Sequence, residues 1–141
     1  MQKKVILLCV IIAIVVSLFL PYPEPNYTHG VYEITIVSER ISNNHVGNEW
    51  DIDYYCGNLS IYSGKQWTVP LDTIEKVTID VNITEDDKWP DISYASIPVT
   101  LSDNFKTSKI ITVTEDNGSF KGNKALWEIT CTVKLIEKTF G

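Results

Sequence analysis

The stretch Lys76–Thr84, KVTIDVNIT, decides the fold class. Apolar and polar residues alternate strictly along it, so every second side chain points to the same side of an extended chain. This two-residue period is typical of a β-strand with one face in the core and one in solvent. The residues predicted to face inward are Val77, Ile79, Val81 and Ile83.

Seven further stretches predict strands by the same alternation or by the turn residues that flank them. They are Val31–Ser38, Glu49–Cys56, Leu59–Tyr62, Gln66–Val69, Ser93–Leu101, Lys109–Thr114 and Ala125–Glu137. No segment after residue 30 keeps the 3.6-residue period of a helix. Seven to eight short antiparallel strands over about 110 residues can bury one core between two sheets. The sequence therefore predicts an all-β fold, with a β-sandwich over residues 31–141.

The first thirty residues predict how this domain is delivered. Lys3 and Lys4 precede Val5–Leu20, an uncharged apolar run with the layout of a signal peptide or a signal anchor. As a helix the run would span about 24 Å, against a hydrocarbon core of roughly 30 Å. Val15-Val16-Ser17 is a poor cleavage site, which favours retention. We expect a hydrophobic helix at 1–20, a Pro-rich spacer at 21–30, and a domain outside the cell membrane, or secreted if the helix is cleaved.

The exported part of the chain is acidic. From Pro21 onward it has 18 acidic and 10 basic residues, a net charge of −8. Binding to nucleic acid or directly to anionic lipid needs basic patches, so this balance excludes a nucleic-acid partner. Contact with an anionic surface would require a cation as mediator.

Cys56 and Cys131 fall on inward positions of their predicted strands. Outside the cytoplasm two such thiols can form a buried disulfide between sheets, and we favour that interpretation. The alternative is two free cysteines that pack as small apolar residues. Trp67 follows Cys56 as in an immunoglobulin core, but Ile129 occupies the position where that pattern has tyrosine. A strict immunoglobulin domain is therefore disfavoured.

Three loop motifs carry a resemblance to a family. They are NHVGNEW at 44–50, EDDKWPD at 85–91 and VTEDNGSF at 113–120. In this order and spacing the chain resembles small exported bacterial proteins with a C2-like β-sandwich, over about residues 31–137. The resemblance implies acidic loops at one end that bind Ca²⁺ and can bridge to lipid. The ligands it implies are Asp86, Asp87 and Asp91 first, with Asp51, Asp53, Glu115 or Asp116 as contributors.

The segment 85–91 also stands out on its charge alone. Its four carboxylates within seven residues repel one another unless they are solvated or neutralised. Ca²⁺ takes six to eight oxygen ligands, which a flexible acidic loop beside a second one can supply. The alternative is an ordinary solvated loop whose charges keep the domain soluble.

The remaining residues indicate a binding protein and not an enzyme. Neither His29 nor His45 lies in a nucleophile motif or at metal-ligand spacing. A small hydrolase would need a pocket that brings His45 near a serine or a carboxylate, which the sequence does not show. Trp67, Trp89 and Tyr55 offer an aromatic platform for sugar, with Trp89 in its polar loop the foremost candidate.

Our leading hypothesis is a membrane-tethered or secreted C2-like binding module without enzymatic activity. Its loops 43–50, 85–91 and 115–123 would bind an unknown surface protein, lipid or glycan, with Ca²⁺ as the candidate cofactor. The alternative is a carbohydrate-binding or immunoglobulin-like adhesion module that uses exposed aromatic residues.

Overall fold

The computed structural model describes residues 24–86 and 89–140. These residues form two antiparallel sheets of four strands each, with a shared apolar core. The strands are β1 (His29–Asn43), β2 (Trp50–Cys56), β3 (Leu59–Ile61), β4 (Lys65–Pro70), β5 (Glu75–Glu85), β6 (Asp91–Leu101), β7 (Lys106–Thr114) and β8 (Lys124–Thr139). A single 3₁₀ turn, Gly118–Phe120, lies between β7 and β8. The all-β sandwich predicted from the sequence is confirmed.

The predicted N-terminal helix at 1–20 lies outside the described residues, as does the first part of the spacer. Within 24–86 and 89–140, the structure has no helix that is long and apolar enough to cross a membrane. Residues 27–30 of the predicted spacer belong to the domain. The Tyr27 ring packs on Phe140 at 5.0 Å between centroids, the Thr28 N–H donates to the Thr139 carbonyl, and His29 already begins β1.

The strand order is β4-β1-β8-β7 in one sheet and β3-β2-β5-β6 in the other. In the first sheet β1 pairs with β8 from His29↔Thr139 at one end to Asn43↔Ala125 at the other. In the second, β5 pairs with β6 from Glu75↔Leu101 to Glu85↔Asp91. This arrangement brings the β1–β2, β5–β6 and β7–β8 connections to the same end of the sandwich, opposite the end where β1 begins.

The core follows the predicted alternation. Ile79, Val81 and Ile83 of β5 are buried, and Val77 packs against them. The inward residues of β2 and β8 pack on the same cluster, including Trp50 and Trp127, whose rings meet edge to face at 5.4 Å. Burial of such side chains, worth about 1.5–3 kcal/mol each, holds the two sheets together.

Two strand boundaries differ from the prediction in ways that matter for function. β1 continues past Ser38 to Asn43, because exposed residues with no apolar alternation still pair with the start of β8. β6 begins at Asp91, which the sequence placed in a loop, and Asp91 is buried. In both places main-chain hydrogen bonds extend the strand beyond the alternating apolar residues from which it was predicted.

The predicted disulfide is wrong in this structure, because Cys56 and Cys131 are both free thiols. Tyr54 is the inward residue of β2 that interacts with Cys131, and its hydroxyl also makes a hydrogen bond with the Ser38 hydroxyl of β1. Cys56 is the next inward residue along β2. Both cysteines instead pack with the apolar core, as in the alternative interpretation.

Burial shifts the titration of two groups in this region. It raises the pKa of the Cys131 thiol from 9.0 to about 11. Burial also raises the pKa of the Tyr54 hydroxyl, with the hydrogen bond from Ser38 acting in the opposite direction and the nearby Cys131 adding to the rise. Both groups therefore favour their neutral forms in the folded protein.

These shifts predict a loss of stability in alkali. The unfolded chain releases the Cys131 proton near pH 9.0, whereas the folded chain keeps it until about pH 11. The contribution of this thiol to the free energy of unfolding should therefore be constant below pH 9.0 and fall as the pH rises through this window. Urea unfolding at a series of pH values measures this decline.

Two alanine variants distinguish the loss of the titrating thiol from the loss of packing that any truncation in the core causes. Cys131→Ala should flatten part of the alkaline decline. Val133→Ala, at an equally buried site of β8 without a titrating group, should lower stability and keep the wild-type slope. An unchanged slope in Cys131→Ala would contradict the assignment.

Candidate functional site

Three connections form what we call the loop end: the β1–β2 loop (44–49), the β5–β6 loop (86–90) and the β7–β8 loop (115–123). Main-chain contacts join them to one another and to the sheets. The Asp86 N–H donates to the Glu49 carbonyl at 2.7 Å, and the Asn44 N–H donates to the Lys124 carbonyl at 3.0 Å. The three motifs that carry the family resemblance therefore come together in space.

The β1–β2 loop is shaped by the side chain of Asn43. Its amide oxygen accepts the Val46 N–H at 3.0 Å, and its amide nitrogen donates to the Gly47 carbonyl at 2.9 Å. Asparagine commonly directs a turn in this way. The turn buries Val46 completely, and it takes His45 and Gly47 into positive φ.

His45 fastens this loop to the β7–β8 loop. Its ring stacks on Phe120 with 5.4 Å between centroids and 15° between planes. Asn43, Gly47, Asn48 and Glu115 line a cavity of about 510 Å³ together with these two residues. His45 therefore acts as a turn and packing residue, and it lines the same cavity as the Glu115 carboxyl group.

The loop end contains the buried acidic side chains of the described chain: Glu85, Asp91 and Glu115, at 1%, 3% and 8% exposure. Glu85 and Asp91 are paired in register where β5 ends and β6 begins. The strand alternation directs both side chains inward, in phase with Ile83 and Ile97. Burial of a carboxylate is costly unless hydrogen bonds or an opposite charge compensate for it.

Asp91 is only half satisfied. Its Oδ1 accepts the Asp116 N–H at 3.1 Å, whereas its Oδ2 is buried and has no hydrogen-bond partner. Glu115 accepts the Asn117 N–H at 3.0 Å through Oε1. Within the described residues, no basic side chain forms an ion pair with Asp91 or Glu115. The site therefore has uncompensated acceptor capacity.

Gly47 lies directly against the Glu85 carboxylate. A Cβ at this position would be 1.5 Å from Oε1 and 2.2 Å from Cδ of Glu85. The backbone also has φ +47°, a conformation that side chains disfavour. Glycine is required here for two independent reasons, close approach and backbone conformation.

Gly57 offers a matched control for these two requirements, since it has φ +60° and open space around it. Gly57→Ala should cost about 1–2 kcal/mol through backbone conformation alone. Gly47→Ala should cost a further ~1–3 kcal/mol, as expected for overpacking. Urea unfolding measures both losses, and equal losses would show that Glu85 does not press on Gly47.

The structure brings only some of the predicted calcium ligands together. Asp91 and Asp116 meet through the hydrogen bond above, and exposed Asp86 follows Glu85 on the adjacent strand end. Asp51 and Asp53 are exposed on the outer face of β2, opposite Thr84 and Asn82, whereas Asp91 points inward. Asp87 lies outside the described residues. Among the described side chains, no three His, Cys, Asp or Glu form a group that could already hold a metal ion.

The sequence predicts Asp91 as a calcium ligand and Glu115 as a contributor, whereas Glu85 and Gly47 are not among the predicted ligands. The inward direction of Glu85 and Asp91 has a sequence signal, because each continues the inward phase of its strand. Both residues lie in the segment that the sequence predicts as an acidic loop. Glu115 directly follows β7 in phase with buried Ile111 and Val113. The approach of Gly47 to Glu85 depends on tertiary structure and has no local sequence signal.

The predicted sugar-binding aromatic residues are dispersed. Trp89 is 62% exposed at the loop end, where it lines a small cavity of about 130 Å³ with Glu115 and Phe120. Trp67 packs against the core from β4, and Tyr55 lies on the outer face of β2. Comparisons of the chain with protein-family models, with curated protein sequences and with solved structures each gave no match.

Proposed function

We propose that the protein is a C2-like β-sandwich binding module without enzymatic activity that binds Ca²⁺ at its loop end. Residues 1–20 would hold it at the outer face of a membrane, or direct its secretion if they are removed. The observation that supports cation binding is the buried Oδ2 of Asp91, which lacks a partner beside a second buried carboxylate, Glu115.

A bound cation would resolve the electrostatic cost of this arrangement. Carboxylates that are shielded from water need a counter-charge, and the described residues supply no basic side chain to Asp91 or Glu115. Asp86 and Asp116 are exposed next to them and can turn toward an ion. Asp87, in the same motif, is a further candidate ligand.

The donor chemistry favours Ca²⁺ over other metals. The available ligands are carboxylate and main-chain oxygens from three loops, with one histidine, His45, whose Nδ1 is hydrogen-bonded to Asn44 Oδ1 at 3.2 Å. Ca²⁺ accepts six to eight oxygens in flexible geometry, while Mg²⁺ requires a strict octahedron and keeps its waters. Zinc prefers several nitrogen and sulfur ligands, and the three loops contain a single histidine and no cysteine.

A cation would also give this acidic protein a means to bind an anionic partner. Trp89 and Phe120 are exposed around the same loops, at 62% and 53%. Exposed aromatic residues beside a charged centre are typical of an interaction surface. The partner proposed here is therefore a surface with anionic oxygen groups, whether on a protein, a lipid or a glycan.

Calcium should stabilise the folded protein. A ligand bound only by the native state adds about 2.7 kcal/mol to the free energy of unfolding at a hundredfold excess over its Kd. Thermal unfolding of the full chain in detergent, in EDTA and in increasing Ca²⁺, should show a saturable rise that equal Mg²⁺ does not reproduce.

Asp91→Asn tests the ligand assignment, since it removes the charge and keeps an acceptor for the Asp116 N–H. In EDTA this variant should be as stable as the wild type or more so, because a buried charge has been removed. In Ca²⁺ it should lose the stabilisation, whereas the outer-face variant with Asp51→Asn and Asp53→Asn should retain it. No shift in the wild type at millimolar Ca²⁺ would refute the proposal.

A further inference from the structure

A groove of about 650 Å³ lies on the outer face of the sheet β3-β2-β5-β6, away from the buried carboxylates. Side chains from three neighbouring strands line it, and β7 adds one from the other sheet. They are Tyr55, Asp80, Asn82, Tyr94, Ser96 and Lys109.

The strand register sets the shape of this groove. Tyr55, Asp80 and Ser96 lie in one row across β2, β5 and β6, and Asp53, Asn82 and Tyr94 lie in the next. The tyrosines therefore occupy opposite corners, about 12 Å apart at Cα from ideal strand spacings. Asp80 and Asn82 form a polar floor between two aromatic side chains.

The floor combines hydrogen-bond donors and acceptors. The Ser96 hydroxyl donates to Asp80 Oδ1 at 2.5 Å, which leaves the other carboxylate oxygen available. Lys109 Nζ donates to the Ser96 carbonyl at 3.0 Å and has further protons to donate. Asn82 also lines the groove, but its Oδ1 is buried beneath the surface, so Asp80 and Lys109 provide the accessible polar atoms of the floor.

We propose that this groove binds a neutral carbohydrate. Hydroxyl groups both donate and accept, so they suit the carboxylate of Asp80 and the ammonium of Lys109 together. An anionic ligand would be repelled by Asp80 and the neighbouring Asp53, and Lys109, bound to the adjacent Ser96, reduces the attraction that these carboxylates offer to a cation. An apolar partner would remove water from Asp80 and Lys109 without replacing its hydrogen bonds.

The two tyrosines supply the apolar part of the recognition. Tyr94 is 73% exposed, so its ring is available to a ligand. The C–H face of a pyranose ring can pack on such a ring, while the sugar's hydroxyls reach the floor beside it. Aromatic walls with a few convergent polar groups are the usual construction of a small-ligand site.

This site is independent of the proposed calcium site. Asp80 and Asn82 point outward from β5, whereas Glu85 on the same strand points inward. Carbohydrate binding should therefore persist in EDTA and in Asp91→Asn. The two proposals can fail separately.

The experiment is a printed array of neutral and charged oligosaccharides probed with the full chain in a detergent that contains no sugar. Calorimetry with the best soluble neutral oligosaccharide then gives the Kd. Tyr94→Ala and Asp80→Ala should each weaken binding at least tenfold, whereas Tyr94→Phe should bind like the wild type. Tyr62→Ala removes another exposed tyrosine, outside the groove, and should have no effect.

Four results would overturn the proposal. They are no binding to any neutral glycan on the array, equal binding by Tyr94→Ala and Tyr62→Ala, binding confined to cationic probes such as amino sugars or lysine-rich peptides, and binding abolished by EDTA. The last result would indicate that the glycan binds at the loop end and not in the groove. Thermal unfolding of each variant identifies one that has failed to fold, and in that case Tyr94→Leu replaces Tyr94→Ala.

Discussion

The register between β5 and β6 is the constraint on which both candidate sites depend. Side chains along a strand alternate between faces, so a slip of one residue would exchange every inward group for an outward one. With Ile79 opposite Ile97 in the core, Glu85 and Asp91 must face inward, and Asp80 and Asn82 must face outward. The apolar pairs in the middle of the two strands thus determine which polar side chains face inward at the strand ends. They also determine which polar side chains lie on the outer face of the sheet.

This dependence explains how the fold can tolerate uncompensated polar atoms. The rows of buried isoleucine and valine fix the sheet, and Asp91 and Asn82 each keep one buried oxygen without a hydrogen-bond partner. Such residues lower stability in the absence of a ligand, and local conflicts with the folding rules are expected at functional positions. The same reasoning applies to Gly47, whose conformation serves the contact with Glu85.

Much of this fold could be predicted from the sequence, because the strands are read from a simple period. All eight strands are present near their expected positions, and the inward faces of β2, β5 and β8 agree with the alternation. The failures have physical causes. The end of β1 is held by pairing with β8 and not by burial, and Cys131 interacts with Tyr54 of β2 while both cysteines remain free thiols. The partners of an outward residue such as Tyr94 depend on strand order, which the alternation does not contain.

The pairing of His29 with Thr139 determines how far the loop end lies from the N-terminal segment. Both ends of the domain lie at its base, and β1 alone extends roughly 45 Å from there to the loop end. Residues 27 and 28 are fastened to this base by ring packing and main-chain hydrogen bonds. If the N-terminal segment is an anchor, an upright domain projects its acidic loops away from its own bilayer. In that orientation the loop end would contact a partner in trans, such as a neighbouring cell, an envelope layer or a soluble molecule. It would not contact the lipids of its own membrane.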